Sequence, residues 1–409
     1  MKILLVSPYL PHPLSGHGTG AFMYGLLTKI APRHEVTLVS FCDKRELGLA
    51  GDLRALPIRL HAVPRGKGGQ ANVWWNLYLA ATRALQSLRS VLLWQPYYVA
   101  KFYHPRMARL IGRITAESSH DIVQLEMVQM AQYAGSAASG KQILQAHDVA
   151  FRPAYRRFRS AGSLPGKILS FVEWCRWAMY ERRMTGKFDG VICVTEQDKM
   201  LLERLTSSTN ISYLPRGVDV AEEFPPYSGR ESESLLFVGT FSHRPNTEAA
   251  LWLAGEIFPL VLQKFPRAVL SIIGSNPPRE LQELAARMPQ IRILGFVDDI
   301  GSHFRTSSVF AAPLRSGGGV KVKILHAMGQ GIPVVTTSVG IEGIEGMTPE
   351  TALIGESAER LAGHICGLFA DRERAAAAGR LGWQAMRSYY SWDRVVERLE
   401  GIYKRAIES

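Results

Sequence analysis

The hydrophobic pattern changes period in a regular way along the chain. A short continuous apolar run, "KILLVS" (2–7), gives way to "AFMYGLLTKIA" (21–31), whose apolar positions recur every three to four residues, and then to "EVTLVSF" (35–41). Continuous short runs read as buried strands, and the longer period reads as an amphipathic helix. "HDIVQLE" (120–126), "KQILQAHD" (141–148) and "FDGVICVT" (188–195) are further strand candidates, with helical stretches between them. Strand and helix in alternation predict a parallel sheet covered by helices on both faces.

A second series repeats the pattern. "PPYSGRESES" (225–234), rich in Pro, Ser and Glu, reads as a linker. Beyond it, "LLFVG" (235–239), "AVLSIIG" (268–274), "IRILGFV" (291–297), "SVFAAP" (308–313) and "IPVVTT" (332–337) read as strands. Helical patterns over 246–265 and 278–288 separate the first three, and the tail 373–406 is helical throughout. The expected fold class is α/β, with two Rossmann-like domains facing across a cleft: residues 1–215, residues 216–388, and a helix over 389–409 packing back on the first domain. Ligands of such sheets bind at the carboxyl ends of the strands.

Length agrees with two domains, since 409 residues exceed one ordinary core. Four scattered cysteines, Cys42, Cys175, Cys193 and Cys366, form no CxxC, which argues against a zinc site or disulfide framework and fits a reducing cytosol. The first apolar run stops at Pro8, so it reads as a strand rather than a signal peptide, and no run reaches the ~18 apolar residues of a membrane span. The formal net charge of +12 is uneven. Arg65 to Arg113 holds 8 basic and no acidic residues, and Lys141 to Lys187 holds 10 basic and 3 acidic. That field favours an anionic partner.

Two glycine clusters carry candidate chemistry. "SGHGTGAF" places Gly16, Gly18 and Gly20 between the first strand and the first helix, as a loop whose backbone reaches a ligand. Its spacing is GxGxG rather than the GxGxxG of dinucleotide folds, although Asp43 stands where a ribose-binding acid would. In "RSGGGVKVKILHAMGQGIPVV" (315–335), Gly317, Gly318 and Gly319 offer unhindered N–H groups ahead of a helix that carries Lys321, Lys323 and His326. Bare amides at a helix start, with mobile positive charge beside them, suit a phosphate. No GK[ST] follows, so this is no Walker loop.

The ordered segments "LLFVGTFSHRPN", "AVLSIIGSNPP", "IRILGFVDDI" and "VFAAPLRSGGGVKVKILHAMGQGIPVVTTSVGIEGI" resemble the C-terminal domain of glycosyltransferase family 4. "QAHD", "ICVTEQDKMLL", "YLPRGVD" and "YYSWDRVVERLEGIY" extend the resemblance over nearly the whole chain. The family consists of retaining GT-B transferases that use nucleoside-diphosphate sugars. The resemblance implies a pyrophosphate over Gly317 to Gly319, a base near Phe296 and Val297, and a sugar reaching toward Gly18 and His147. Many members carry two glutamates eight apart, where this chain has Gly318 and His326, and an Arg and a Lys where it has Thr240 and Asn246. Positive partners for the diphosphate are then sought among Lys321, Lys323, Arg315, Arg216 and Arg244. Glu342 is a further carboxylate for sugar or ribose. No metal or other cofactor is expected.

Glu126, His147 and Asp148 end strands of the first sheet, where they would orient an acceptor hydroxyl or a donor hydroxyl. Asp148 reads equally as the N-cap of the next helix. Two stretches, 72–104 and 167–184, interleave aromatics with Arg and Lys, as helices lying on anionic lipid do. No nucleic-acid motif accompanies them. The expected function is transfer of a sugar from a UDP- or GDP-sugar to a glycan or lipid-linked glycan in surface or exopolysaccharide synthesis. The expected place is the cytoplasm, peripheral at the inner membrane face. A nicotinamide-dependent oxidoreductase and a non-catalytic glycan-binding protein of the same fold are the alternatives.

Overall fold

The computed structural model describes residues 1–15, 18–43, 46–65, 73–206 and 210–409, so Gly16 of the first glycine cluster lies outside the described residues. The chain forms two compact units, Met1–Pro215 with Val396–Ser409, and Arg216–Val395.

The first unit holds a seven-stranded sheet: β1 (Lys2–Ser7), β2 (Glu35–Cys42), β3 (Ile58–Pro64), β4 (Ile122–Glu126), β5 (Lys141–Ala146), β6 (Gly190–Cys193) and β7 (Ile211–Tyr213). Its order is β3-β2-β1-β4-β5-β6-β7, and every pairing is parallel. The continuous apolar runs have a plain cause. β1 buries Ile3, Leu4, Leu5 and Val6 completely, because both faces of a parallel sheet are covered. The second unit repeats the design with β8 (Ser234–Val238), β9 (Val269–Ile273), β10 (Ile291–Gly295), β11 (Val309–Ala312), β12 (Val334–Thr336) and β13 (Leu353–Ile354). Their order is β10-β9-β8-β11-β12-β13, again all parallel.

In both sheets the chain turns back from its first strand, which lies between the second and fourth of its series. Such a switch point opens a crevice at the carboxyl ends of the two central strands. One crevice is framed by the ends of β1 and β4, the other by the ends of β8 and β11.

Two local expectations change and two are refined. The stretch 225–234 is no free linker. Tyr227 and Arg230 are buried, Tyr227 Oη donates to the Ser308 carbonyl (2.9 Å), and the Arg230 guanidinium donates to the carbonyls of Phe304, Ser307 and Gln330. Pro and Ser content signals an irregular path, and here two large anchors hold that path down. Gly18 and Gly20 are not loop residues. They lie in the first turn of the helix Gly18–Ile30. A Cβ on Gly20 would collide with Ser15 Oγ and reach within 3.0 Å of the His12 carbonyl, so close packing explains that glycine. The tail is two helices, Arg372–Tyr389 and Trp392–Glu408. The long helix of the second unit widens to a π-turn over Leu253–Ile257 between Arg244–Trp252 and Phe258–Lys264.

Candidate functional site

The second glycine cluster sits at the switch point of the second sheet. β11 ends at Ala312, and the loop that follows turns through Gly317 (φ 115°) and Gly319 (φ 72°). Those left-handed conformations explain two of the three glycines. The helix Val322–Gly329 begins three residues later, with Lys321 at its N-cap position, where Lys321 Nζ donates to the Gly319 carbonyl (2.6 Å).

Across the crevice, the end of β8 supplies Gly239 and Thr240. Asn246 donates through Nδ2 to the Thr240 carbonyl (2.9 Å), which aims its Oδ1 the other way, and Lys323 Nζ donates to that oxygen (2.7 Å). Gly239 makes the approach possible, since a Cβ there would lie 2.9 Å from the Asn246 side chain. The Lys323 ammonium thus stands beside Asn246, one of the two positions where the resembled family carries a cation. It lies 4.8 Å from the centre of the Phe237 ring. Burial, and secondarily the charge of Lys321, brings the Lys323 amine down to about 7. Lys321 is lowered too, by burial, against the pull of the Glu342 carboxylate.

His326, one turn beyond Lys323, is held below the usual imidazole range by burial, with Asp219 opposing. It is therefore neutral at pH 7. Arg244 is exposed and bound to Glu248 (2.7 Å), which also accepts from Ser316 Oγ (3.0 Å). Arg315 lies over the Trp252 ring at 3.7 Å. The loops after β8 and β11 therefore converge. Phe296, 70% exposed, and the half-buried Val297 follow the end of β10, two strands from β8 across β9. Glu342 is half-buried just past the short helix Ser338–Ile341, and Arg216 is half-buried at the start of the unit.

In the first unit the structure brings Glu126 and His147 together and leaves Asp148 aside. His147 Nε2 is 2.7 Å from Glu126 Oε2, with both side chains fully buried. Asp148 is exposed and lies before the N-cap residue Ala150 of the helix Phe151–Ser160, whose own side chain makes no cap. Its first amides, of Ala150 and Phe151, donate instead to the buried Glu181 carboxylate at 2.7 and 2.9 Å. Burial lifts that carboxyl to about 8 despite those two bonds. Asp43, the supposed ribose acid, accepts from the Glu46 amide (2.9 Å), and Glu46 accepts from the Asp43 amide (2.9 Å), which is a local turn.

Gln124, Gln145 and Tyr403 were not singled out from the sequence. Gln124 and Glu126 are two apart on β4, and Gln145 and His147 are two apart at the end of β5, with Glu126 paired to Gln145 in register. Period two puts all four on one face of the strand pair. Alternation in "IVQLE" and "ILQAH" carries this signal. Tyr403 carries none, because its bond to Gln124 spans 279 residues.

The first unit also exposes an apolar and basic face. Leu88, Val91, Leu92 and Trp94 are exposed, as are Leu164, Ile168, Leu169 and Phe171 of the helix Leu164–Thr185. The two groups adjoin: Arg183 donates to the Leu93 carbonyl (3.3 Å), and Arg176 covers the Trp94 ring at 4.7 Å. Among the described residues, no helix is long and apolar enough to cross a membrane.

Comparison with known proteins gives three findings. Residues 232–371 match the family model described as glycosyl transferases group 1. The chain is 29% identical over 240 residues to phosphatidyl-myo-inositol mannosyltransferase of Mycobacterium tuberculosis, covering 54% of this chain and 61% of the relative. It is 27% identical over 237 residues to the GDP-mannose-dependent alpha-(1-6)-phosphatidylinositol monomannoside mannosyltransferase of that organism, covering 52% and 61%. The chain thus spans about three-fifths of the length of these curated relatives. In fold it is similar to sucrose-phosphate synthase from Thermosynechococcus elongatus, with TM-score 0.67, 15% identity and 99% of each chain covered. It is also similar to Anabaena HepE in complex with UDP and glucose, with TM-score 0.62, 12% identity, and 99% and 100% covered. The GT-B fold expected from the sequence is the one these neighbours share.

Proposed function

We propose that the chain is a retaining glycosyltransferase, a reading supported by the match of residues 232–371 to the family model described as glycosyl transferases group 1. It moves a sugar from a UDP- or GDP-sugar to a hydroxyl of a glycan or lipid-linked glycan. The curated relatives are named for mannose transfer to phosphatidylinositol lipids, which supports a lipid-linked acceptor and GDP-mannose as a donor to try first. A role in surface or exopolysaccharide synthesis accords with such an acceptor.

One observation carries the reading. The Lys323 ammonium, held by Asn246, and the glycine loop converge on the β8/β11 switch point. There the amides of Gly317, Gly318 and Gly319 take the diphosphate oxygens, and Lys321 and Lys323 neutralise the charge that grows as the bond to the sugar breaks. Neutral His326 donates to a ribose oxygen in place of a carboxylate acceptor. Phe296 and Val297 flank the base, and Arg216, Arg244 and Glu342 belong to the outer part of the donor site, while Gly18 of the first unit is assigned to donor binding on its sequence motif alone. Glu126 and His147 serve the sugar or the acceptor hydroxyl, with Asp148 at the rim. The basic, apolar face of the first unit rests on an anionic membrane surface, which places the enzyme peripherally at the inner face of the cell membrane.

The oxidoreductase alternative loses its support, because Gly20 and Asp43 are accounted for by local packing and a local turn. The test is turnover. Purified protein is incubated with a panel of UDP- and GDP-sugars and lipid acceptors, and released nucleoside diphosphate is measured with and without EDTA. Release from one donor, undiminished by EDTA, is expected. No binding of any sugar nucleotide at millimolar concentration would refute the reading, and binding without transfer would favour the non-catalytic alternative.

A further inference from the structure

The strand pair β4–β5 has one apolar face, with Val123, Leu125, Leu144 and Ala146 in the core. Its other face is a polar row, Gln124, Glu126, Gln145 and His147, in which every side chain is buried. Most buried polar groups find partners, and in this row all but Gln145 Nε2 and His147 Nδ1 do among the described residues, so its geometry is closely constrained. Tyr403, fully buried on the helix Trp392–Glu408, donates through its hydroxyl to Gln124 Oε1 (2.7 Å). Burial holds that phenol well above its ordinary range, so it keeps its proton. Gln124 Nε2 donates to Glu126 Oε1 (2.5 Å) and to Gln145 Oε1 (3.0 Å). Donor and acceptor therefore fix the same orientation of the Gln124 amide from its two ends. The other carboxylate oxygen, Glu126 Oε2, faces His147 Nε2 at 2.7 Å. A carboxylate oxygen accepts, so Nε2 is the ring nitrogen that donates to Glu126, and in the neutral tautomer Nδ1 then carries the lone pair. Nδ1 is buried, with no hydrogen-bond partner among the described residues. The Phe22 ring packs edge-on against the imidazole, 5.9 Å between centroids, and limits its rotation.

We infer that Tyr403 and Gln124 are positioning residues. Through Glu126 they hold His147 in the Nε2–H form, so that its buried Nδ1 presents a lone pair to a hydroxyl-bearing ligand. A lone pair so presented selects a hydrogen-bond donor, and a sugar hydroxyl is one. The nature of that ligand rests on the transferase reading, whereas the tautomer does not.

The experiment uses the full chain with 15N-labelled histidines. A long-range 1H–15N spectrum near pH 7.5 assigns each ring nitrogen as protonated or bare, and His147→Asn identifies the resonance. Wild type is expected to show Nε2 protonated and Nδ1 bare. Glu126→Gln, whose amide can donate to Nε2, is expected to move the proton to Nδ1. Tyr403→Phe is expected to add a second tautomer and to lower kcat about tenfold, the worth of one buried hydrogen bond, with the KM for sugar nucleotide within about twofold of wild type. Should Tyr403→Phe not fold, Gln124→Met is read in the same way. A wild-type Nδ1 that carries the proton overturns the inference. So does a folded Tyr403→Phe protein unchanged in both spectrum and kcat. A protein that shows the expected tautomers but releases no nucleotide from any donor keeps the inference and refutes the transferase reading.

Discussion

If Lys323 neutralises a diphosphate, donor affinity must fall as pH rises through the range where the empty site loses its charge. The amine is brought down to about 7, so close to half of the empty molecules hold it uncharged at neutral pH. A sugar nucleotide's diphosphate is a diester and stays charged throughout, so it binds the ammonium form. Above about 7, binding must first protonate the amine, at about 1.4 kcal/mol per pH unit. At pH 8.5 that is about 2 kcal/mol, or about 30-fold in affinity relative to pH 6, and below about pH 6.5 the profile is flat. Lys323→Arg keeps its charge to above pH 12 and flattens the profile. Lys323→Met flattens it too, but removes a charge-assisted hydrogen bond worth about 1.5–3 kcal/mol, so binding at pH 6 weakens about 10- to 150-fold. Calorimetric titration from pH 6 to 8.5, in buffers of different ionisation enthalpy, reads affinity and proton uptake together. A wild-type profile without slope, or the same slope in Lys323→Met, would refute the assignment. Stability moves oppositely. The folded amine sits below its unfolded value of 10.5, so the unfolded chain binds the proton more tightly. The empty fold therefore gains stability from this residue as pH rises from about 7 to 10.5, while the donor loses affinity.

Further outcomes are expected. Glu181→Ala leaves the amides of Ala150 and Phe151 without their acceptor, which costs about 2–4 kcal/mol, read as a lowered midpoint in urea unfolding; an unchanged midpoint would show that water replaces the carboxylate. Gly319→Ala places a side chain at φ 72° and costs about 1 kcal/mol of stability, read in the same assay, with weakened nucleotide binding besides. The protein is expected to sediment with vesicles containing anionic lipid at low salt and to be released by high salt; exchanging exposed Ile168 and Leu169 for Asp should abolish sedimentation, and equal binding to neutral vesicles would count against an electrostatic surface.

The strands legible in the sequence are the central ones, together with the edge strand β10. β1, β6, β8 and β11 are continuous apolar runs because both their faces are covered, whereas β4 and β5 alternate apolar and polar residues. β3, β7 and β13 escaped notice, and all three are edge strands. An edge strand is short or half-exposed, as the mixed burial of Ile58–Pro64 shows, so its run lacks the apolar density that marks the others. The glycine loop was legible because left-handed backbone restricts residue choice locally. The Lys323–Asn246 bond was not, since it joins positions 77 apart that only the switch point brings together. Asp148 was misleading for a related reason. A cap is recognised by adjacency, and the acceptor that serves this helix start, Glu181, lies 30 or more residues downstream.

The stretch Val396–Ser409 completes the first unit although the whole of the second unit, Arg216–Val395, precedes it in the chain. Until Tyr403 leaves the ribosome, the amide of Gln124 has no hydroxyl to meet, and the polar row of β4 and β5 lacks one of its partners. Co-translational folding therefore lets the second unit form while the first still waits for a helix made after it. A nonsense codon between Val396 and Ser409 would then strike the far end of the chain, by leaving its earliest-made unit unfinished.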